Sequence, residues 1–246
     1  MLGRFFPLNW RPPTDEIRFA AEHGFAAIQI RSDRAGDIAE ELRADPRVVG
    51  LTFAAGGVEP VLEMLVFHQG EPGTIGAALR ANLPAIEQIG FRRVHVHPVG
   101  PEDAAPVLAD DFGEALEIAR AAGLTFGVEH NAVGHRLLVD PASVHTLLDA
   151  VPGLHFVWDL NHTRAEDVAE FSRLRDRLSL VHVSDTPLPE TNHHLPLGRG
   201  TVDFSQLRSI DDVPMILEIG GLPISGGPGF DTDEALFDSL EKLRAL

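Results

Sequence analysis

Short apolar runs alternate with amphipathic segments of helix length from one end of this chain to the other. The runs are GRFFPL (3–8), FAAIQIR (25–31), VVGLTFAA (48–55), FRRVHVH (91–97), LTFGVE (124–129), LHFVWD (154–159), LSLVHVSD (178–185) and VPMILE (213–218). They read as β-strands. Between them the apolar spacing turns to the helical period. Helices are predicted from a cap at Thr14 or Asp15 to about His23, from about Arg34 to Ala44, over Thr74 to Ile89, and over Glu102 to Ala122, with Gly24, Gly90 and Gly123 as stops. Others are expected near 141–150, 164–177, 203–210 and 231–244. Eight strand–helix pairs in 246 residues predict an α/β fold, a single (β/α)8 TIM barrel of one domain over 1–246, close to the ~250 residues usual for that architecture. Residues 56–73, GGVEPVLEMLVFHQGEPG, break the rhythm. Placed after the predicted third strand, they are expected to form a lid or subunit contact, with Leu62, Leu65, Val66 and Phe67 shielded from water and His68 reaching a substrate.

Four ionisable residues stand at or next to the C-terminal ends of the last four runs: Glu129, Asp159, His182 and Glu218. A barrel brings all its strand C-termini to one face, so residues scattered over ninety positions of sequence would converge there. Burying three carboxylates and an imidazole at one point is costly without a shared cation. One divalent metal ion is therefore expected. Oxygen-rich ligation with one nitrogen suits Mn or Mg, with Zn and Co also compatible. His95 and His97 share a phase on the fourth run, which places His97 at the rim as a substrate or second-metal contact and His95 a layer deeper. Asp185 is expected to orient His182 or a loop.

Composition narrows the partners. The formal net charge is -17, from 37 acidic against 20 basic residues, so a polyphosphate backbone is repelled and nucleic acid is not expected. No run is long enough to span a membrane and the N-terminus lacks a signal-peptide pattern, so a cytoplasmic protein is expected. Cysteine is absent, which removes disulfides and thiolate chemistry, and Lys242 is the only lysine, which argues against Schiff-base catalysis. No dinucleotide fingerprint or Walker loop is present, and SGGPG (225–229) is not a nucleophile elbow. A homo-oligomer stays open.

The stretches VEHN (128–131), WDLNH (158–162), HVSD (182–185), HHLPLGRG (193–200) and LEIG (217–220) together resemble the xylose isomerase-like barrel superfamily of sugar isomerases and epimerases, with its endonuclease IV branch. The resemblance implies one divalent ion held by Glu129, Asp159, His182 and Glu218. It implies that His162 contacts substrate or a second metal, and His194 is a further expected substrate contact. Where that family often has Gly-Glu-Gly, this chain has Gly198-Arg199-Gly200, so Arg199 is expected to hold a carboxylate or phosphate, or else to pair with an acid such as Asp203. The second run carries Gln29 where relatives often carry Glu. The endonuclease branch is disfavoured because the expected third strand offers Thr52, Phe53 and Ala54 in place of its histidine, and Thr191 in place of an aspartate.

The chemistry that follows is proton transfer next to a metal-chelated carbonyl and hydroxyl pair, with Glu129 and Glu218 on opposite sides of the reacting carbon. The expectation is a metal-dependent isomerase or epimerase acting on a small carbohydrate or its phosphate. A dehydratase of the inosose or dehydroshikimate type, and a barrel that binds a sugar or metal without turnover, are the alternatives.

Overall fold

A computed structural model describes residues 2–6, 11–33, 36–210, 212–220 and 232–246. Eight parallel strands close into a barrel in sequence order: β1 (Leu2–Phe6), β2 (Ala27–Arg31), β3 (Glu59–Phe67), β4 (Arg93–Val99), β5 (Thr125–Glu129), β6 (His155–Asp159), β7 (Leu178–Val183) and β8 (Met215–Leu217), with β8 pairing back to β1. Helices α1 (Pro13–Glu22), α2 (Glu40–Arg43), α3 (Pro46–Gly56), α4 (Thr74–Ile89), α5 (Ala105–Ala121), α6 (Pro141–Ala150), α7 (Val168–Ser172) and α8 (Asp233–Arg244) complete the chain. Among the described residues no helix is long and apolar enough to cross a membrane.

Seven of the eight expected strands form. The third does not: VVGLTFAA (48–55) lies in α3. Asp45 caps that helix by accepting from Val48 N, Pro46 starts it, and Gly57 ends it at φ 64°. Val49 and Phe53, four apart, are buried while Leu51 is 62% exposed, which is helical and not strand periodicity. The true third strand lies inside the segment expected to be a lid. In β3 the residues of both faces are buried, since Leu62, Met64 and Val66 meet the helix layer while Val61 and Glu63 enter the barrel. Buried strands of parallel sheets lack the alternation that would mark them. Residues 59–67 are thus part of the barrel wall and not a lid, and Phe67 at the strand's end is 41% exposed, against the expected shielding.

Smaller differences follow local chemistry. β4 continues through Pro98, which pairs with Val66, to Val99. The helix expected from Arg34 is reduced to α2, and residues 34–35 lie outside the described residues, as do Pro7, Leu8 and SGGPG. The segment 164–177 is broken into α7 and a 3-10 turn at Arg175–Arg177, and Phe204–Ile210 is 3-10 helix.

Two apolar layers hold the barrel. Outside, Phe53, Phe91, Phe112, Phe126, Phe156, Trp158 and Phe171 are fully buried between strands and helices. Inside, Ala27, Val61, Val157, Leu180 and Ile216 plug the lower end. One step of two residues further along those strands stand Gln29, Glu63, Asp159, His182 and Glu218, all buried. The polar upper layer rests on an apolar floor.

Candidate metal centre and active site

Glu129, Asp159, His182 and Glu218 converge as the strand periods require: each offers one ligand atom, and these atoms lie within 4.8 Å of one another. His182 Nδ1 is 3.1 Å from Glu218 Oε2 and 3.3 Å from Glu129 Oε1. Three oxygens of this cluster, Glu129 Oε2, Asp159 Oδ2 and Glu218 Oε2, are buried without a well-directed hydrogen bond, although each faces an imidazole nitrogen at 3.1–3.4 Å. Buried oxygens of this kind normally find donors, and a shared cation would satisfy all three at once. Donor chemistry and spacing therefore fit a divalent ion. The same atoms also form smaller groups, with Glu129 joining His97 and His162, and Asp159 joining His162 and His194.

The electrostatics show how strained the cluster is. Burial raises Asp159, and the charge of Glu218 adds to it, pushing its carboxyl up to about 7. Burial would also raise Glu129, but the nearby His97 and His182 outweigh it and hold Glu129 well below the usual carboxylate range. Glu218 likewise falls to about 2, the charges of His182 and His194 prevailing over burial. In return, burial opposes protonation of His182 and His97 but the carboxylates win, lifting His182 well above the usual imidazole range and His97 to about 9. The carboxylates thus favour the protonated form of both imidazoles, and a bound cation would replace the proton on the ligating histidine.

The expected substrate contacts divide. His162 lies at the cluster, with Nδ1 3.0 Å from His130 O and 3.2 Å from Asp159 Oδ2, and its Nε2 has no partner among the described residues. His97 borders Glu129 at 3.6 Å, while its Nε2 meets Asn131 Oδ1 at 2.7 Å. His194 is buried beside Glu218, with Nδ1 3.1 Å from Glu218 O and Nε2 2.9 Å from Asn192 Oδ1. His95 is deeper, 3.4 Å from Glu129 Oε2 and edge-on to His182.

His68 and Arg199 are not brought to the cluster. His68 has the outward parity of Leu62, Met64 and Val66, and its ring is tied to Asp111 Oδ2 of α5 at 2.8 Å and to Gly70 N at 3.0 Å. Arg199 is exposed, and its neighbour Gly198 lies against Lys242 near the far end of α8. No ion pair joins Arg199 to Asp203 either: Asp203 accepts from Ser205 N. What Asp185 organises is this loop and not His182. Its buried carboxylate accepts from the backbone N–H groups of Thr186, Gly198, Gly200 and Val202. Gly200 is required by that cradle, because a Cβ there would stand 2.4 Å from both Asp185 Oδ1 and Thr186 O.

The corrected third strand adds a residue that the sequence reading missed. Glu63, buried inside the barrel, accepts from Gln29 Nε2 at 3.1 Å and lies 3.3 Å from Arg31 Nε and 3.4 Å from His97 Nδ1. The signal was its phase with Val61 two residues before it, visible only once β3 is in register. The same correction removes Thr52, Phe53 and Ala54 as an argument against the endonuclease branch, because they are helical.

The chain belongs to the xylose isomerase-like TIM barrel family, whose pattern it matches over residues 17–246. No curated protein sequence matches it. Among solved structures it is similar to a D-allulose 3-epimerase from Methylomonas sp., at 17% identity and TM-score 0.80, covering 99% of this chain and 96% of the other. It is similar to the IolI protein with a bound zinc atom, at 15% identity and TM-score 0.75 with the same coverage. A probable 3-DHS dehydratase, AsbF, from Bacillus anthracis is similar at 15% identity and TM-score 0.70, with 99% of each chain covered. At these identities the likeness shows the fold.

Proposed function

We propose that this protein is a divalent-metal-dependent isomerase or epimerase of a small carbohydrate, with Glu129, Asp159, His182 and Glu218 as ligands. The observation that carries this reading is the set of three buried carboxylate oxygens without well-directed hydrogen bonds, converging with one imidazole at the C-terminal face of the barrel. The epimerase among the similar structures and the zinc in IolI support it. Mn or Mg suits the oxygen-rich set, and Zn or Co can take the same ligands. A divalent ion held there supplies Lewis-acid polarisation of a carbonyl and hydroxyl pair, which acidifies the adjoining C–H.

The chain's own residues then move protons. Glu129 on β5 and Glu218 after β8 approach the cluster from separate strands, so each can face the reacting carbon from its own side. As carboxylates, both can accept a proton at carbon; the nearby His97, His182 and His194 that depress their basicity are the charges a bound cation would rearrange. His162 offers an unpartnered Nε2 for a substrate hydroxyl. The apolar floor beneath excludes water from below.

The test is solvent exchange. With metal present in deuterated water, a substrate drawn from a panel of ketoses, aldoses, inososes and dehydroshikimate gains deuterium at the carbon that loses or receives the proton. An inverted centre marks epimerisation, a moved carbonyl isomerisation and a lost water dehydration. Glu129→Gln and Glu218→Gln, assayed at saturating ion, lower turnover by roughly a hundred- to ten-thousand-fold. Product without solvent deuterium would replace the two-glutamate scheme by hydride shift, and no product across the panel would favour a binding barrel.

A further inference from the structure

We propose that Glu63 and Gln29 form a positioning relay that sets which nitrogen of His182 faces the cluster, an inference that rests on His182 being a metal ligand. The contacts run in sequence from Glu63 through Gln29 to His182. Glu63 Oε2 is 3.1 Å from Gln29 Nε2, Gln29 Oε1 is 2.7 Å from His182 Nε2, and His182 Nδ1 is 3.1 Å and 3.3 Å from the carboxylates of Glu218 and Glu129. All five groups are buried.

Donor and acceptor rules leave one arrangement. An ionised carboxylate only accepts, so Glu63 draws the amide NH2 of Gln29 toward itself. Burial would raise Glu63, but Arg31 first and then His97 outweigh it and hold the carboxyl below its usual range. With its NH2 committed, Gln29 can present only its carbonyl oxygen to His182. That oxygen accepts, so His182 Nε2 must carry hydrogen, and when the ring is neutral Nδ1 is the bare nitrogen turned to the cluster. Gln29 alone could not dictate this, since an amide flips at little cost when both ends are equivalent. The direction is imposed by Glu63, which lies outside the group of four proposed ligands. Arg31 and His97, at 3.3 Å and 3.4 Å, hold Glu63 from its other oxygen.

Exchange of the two functional groups provides the test. In Glu63→Gln, the new amide can donate to Gln29 Oε1, turning the Gln29 NH2 toward His182 and favouring the wrong tautomer. Zinc or cobalt affinity, measured by competition with a chromophoric chelator, is expected to fall about 10- to 100-fold, as when partners behind ligating histidines are removed. The double variant Glu63→Gln/Gln29→Glu restores an acceptor for His182 Nε2–H, a donor behind it and the same net charge. Its affinity is expected to return to within a few-fold of wild type. In zinc-loaded wild-type protein, 15N NMR should show the His182 proton on Nε2 and the metal-shifted resonance on Nδ1. The relay is overturned if Glu63→Gln binds zinc as wild type does, if the folded double variant is no better than the single one, or if the His182 proton sits on Nδ1. If wild-type protein binds no zinc or cobalt, the metal reading itself fails, and the two failures are thereby distinguished.

Discussion

Replacing Asp159 by Asn should stabilise the metal-free protein while destroying its response to metal. An ordinary aspartate ionises near 3.8, whereas burial and the charge of Glu218 push Asp159 up to about 7. At ~1.4 kcal/mol for each tenfold change, carrying this carboxylate ionised at pH 8 costs the folded state about 4 kcal/mol. The sign follows from linkage: the folded-state value is raised, so the penalty is absent below the unfolded-state value, grows through the interval and is complete above about 7. Asn keeps the Oδ1 that accepts from Asn161 N at 2.7 Å but loses the contact of Oδ2 with His162 Nδ1 at 3.2 Å. Allowing ~1 to 2 kcal/mol for that loss leaves a net gain of roughly 2 to 3 kcal/mol at pH 8. For a chain of this size it is a rise of about 5–10 °C in melting temperature. The assay is a pair of thermal melts in chelator at pH 5 and pH 8, repeated with excess Mn, Mg or Zn. Wild type should gain stability with metal and Asp159→Asn should gain little. A variant less stable than wild type in chelator at pH 8, or an advantage that does not shrink at pH 5, would refute the argument from burial and charge.

Two further outcomes separate the site from its surroundings. His162→Ala should raise KM or lower kcat with one metal still bound, whereas Arg199→Ala should leave both constants within twofold, and steady-state kinetics with metal analysis checks the pair. Gly200→Ala should lower stability by roughly 1–3 kcal/mol in chemical denaturation, because its Cβ collides with the Asp185 carboxylate and Thr186 carbonyl that close the loop.

The half of the barrel from β5 to β8 was legible because each strand there is a short apolar run that ends at or beside an ionisable residue and is followed by polar sequence. Phase within those runs carried Glu129, Asp159, His182 and Glu218 to one point without any knowledge of tertiary contacts. The reading failed where period says least. α3 and β3 are both apolar, and a strand buried on two faces resembles a buried helix segment. The decisive signal for α3 was Asp45-Pro46, a cap and a first-turn proline, which outweighs the β-branched content of Val48 and Val49. That one exchange hid Glu63 and turned His68 toward the site on paper, although its parity faces α5. Arg199 was misplaced for a different reason. The path of the 186–202 loop depends on four backbone N–H groups gathering on Asp185, a tertiary arrangement that no local spacing announces.

The most direct measurement of the central claim is anomalous diffraction at the metal absorption edge from crystals grown with Mn or Zn. One peak should stand within bonding distance, about 2.0–2.3 Å, of carboxylate oxygens from Glu129, Asp159 and Glu218 and of His182 Nδ1. A peak bonded to another set of residues, or no peak at these four under saturating metal, would contradict it.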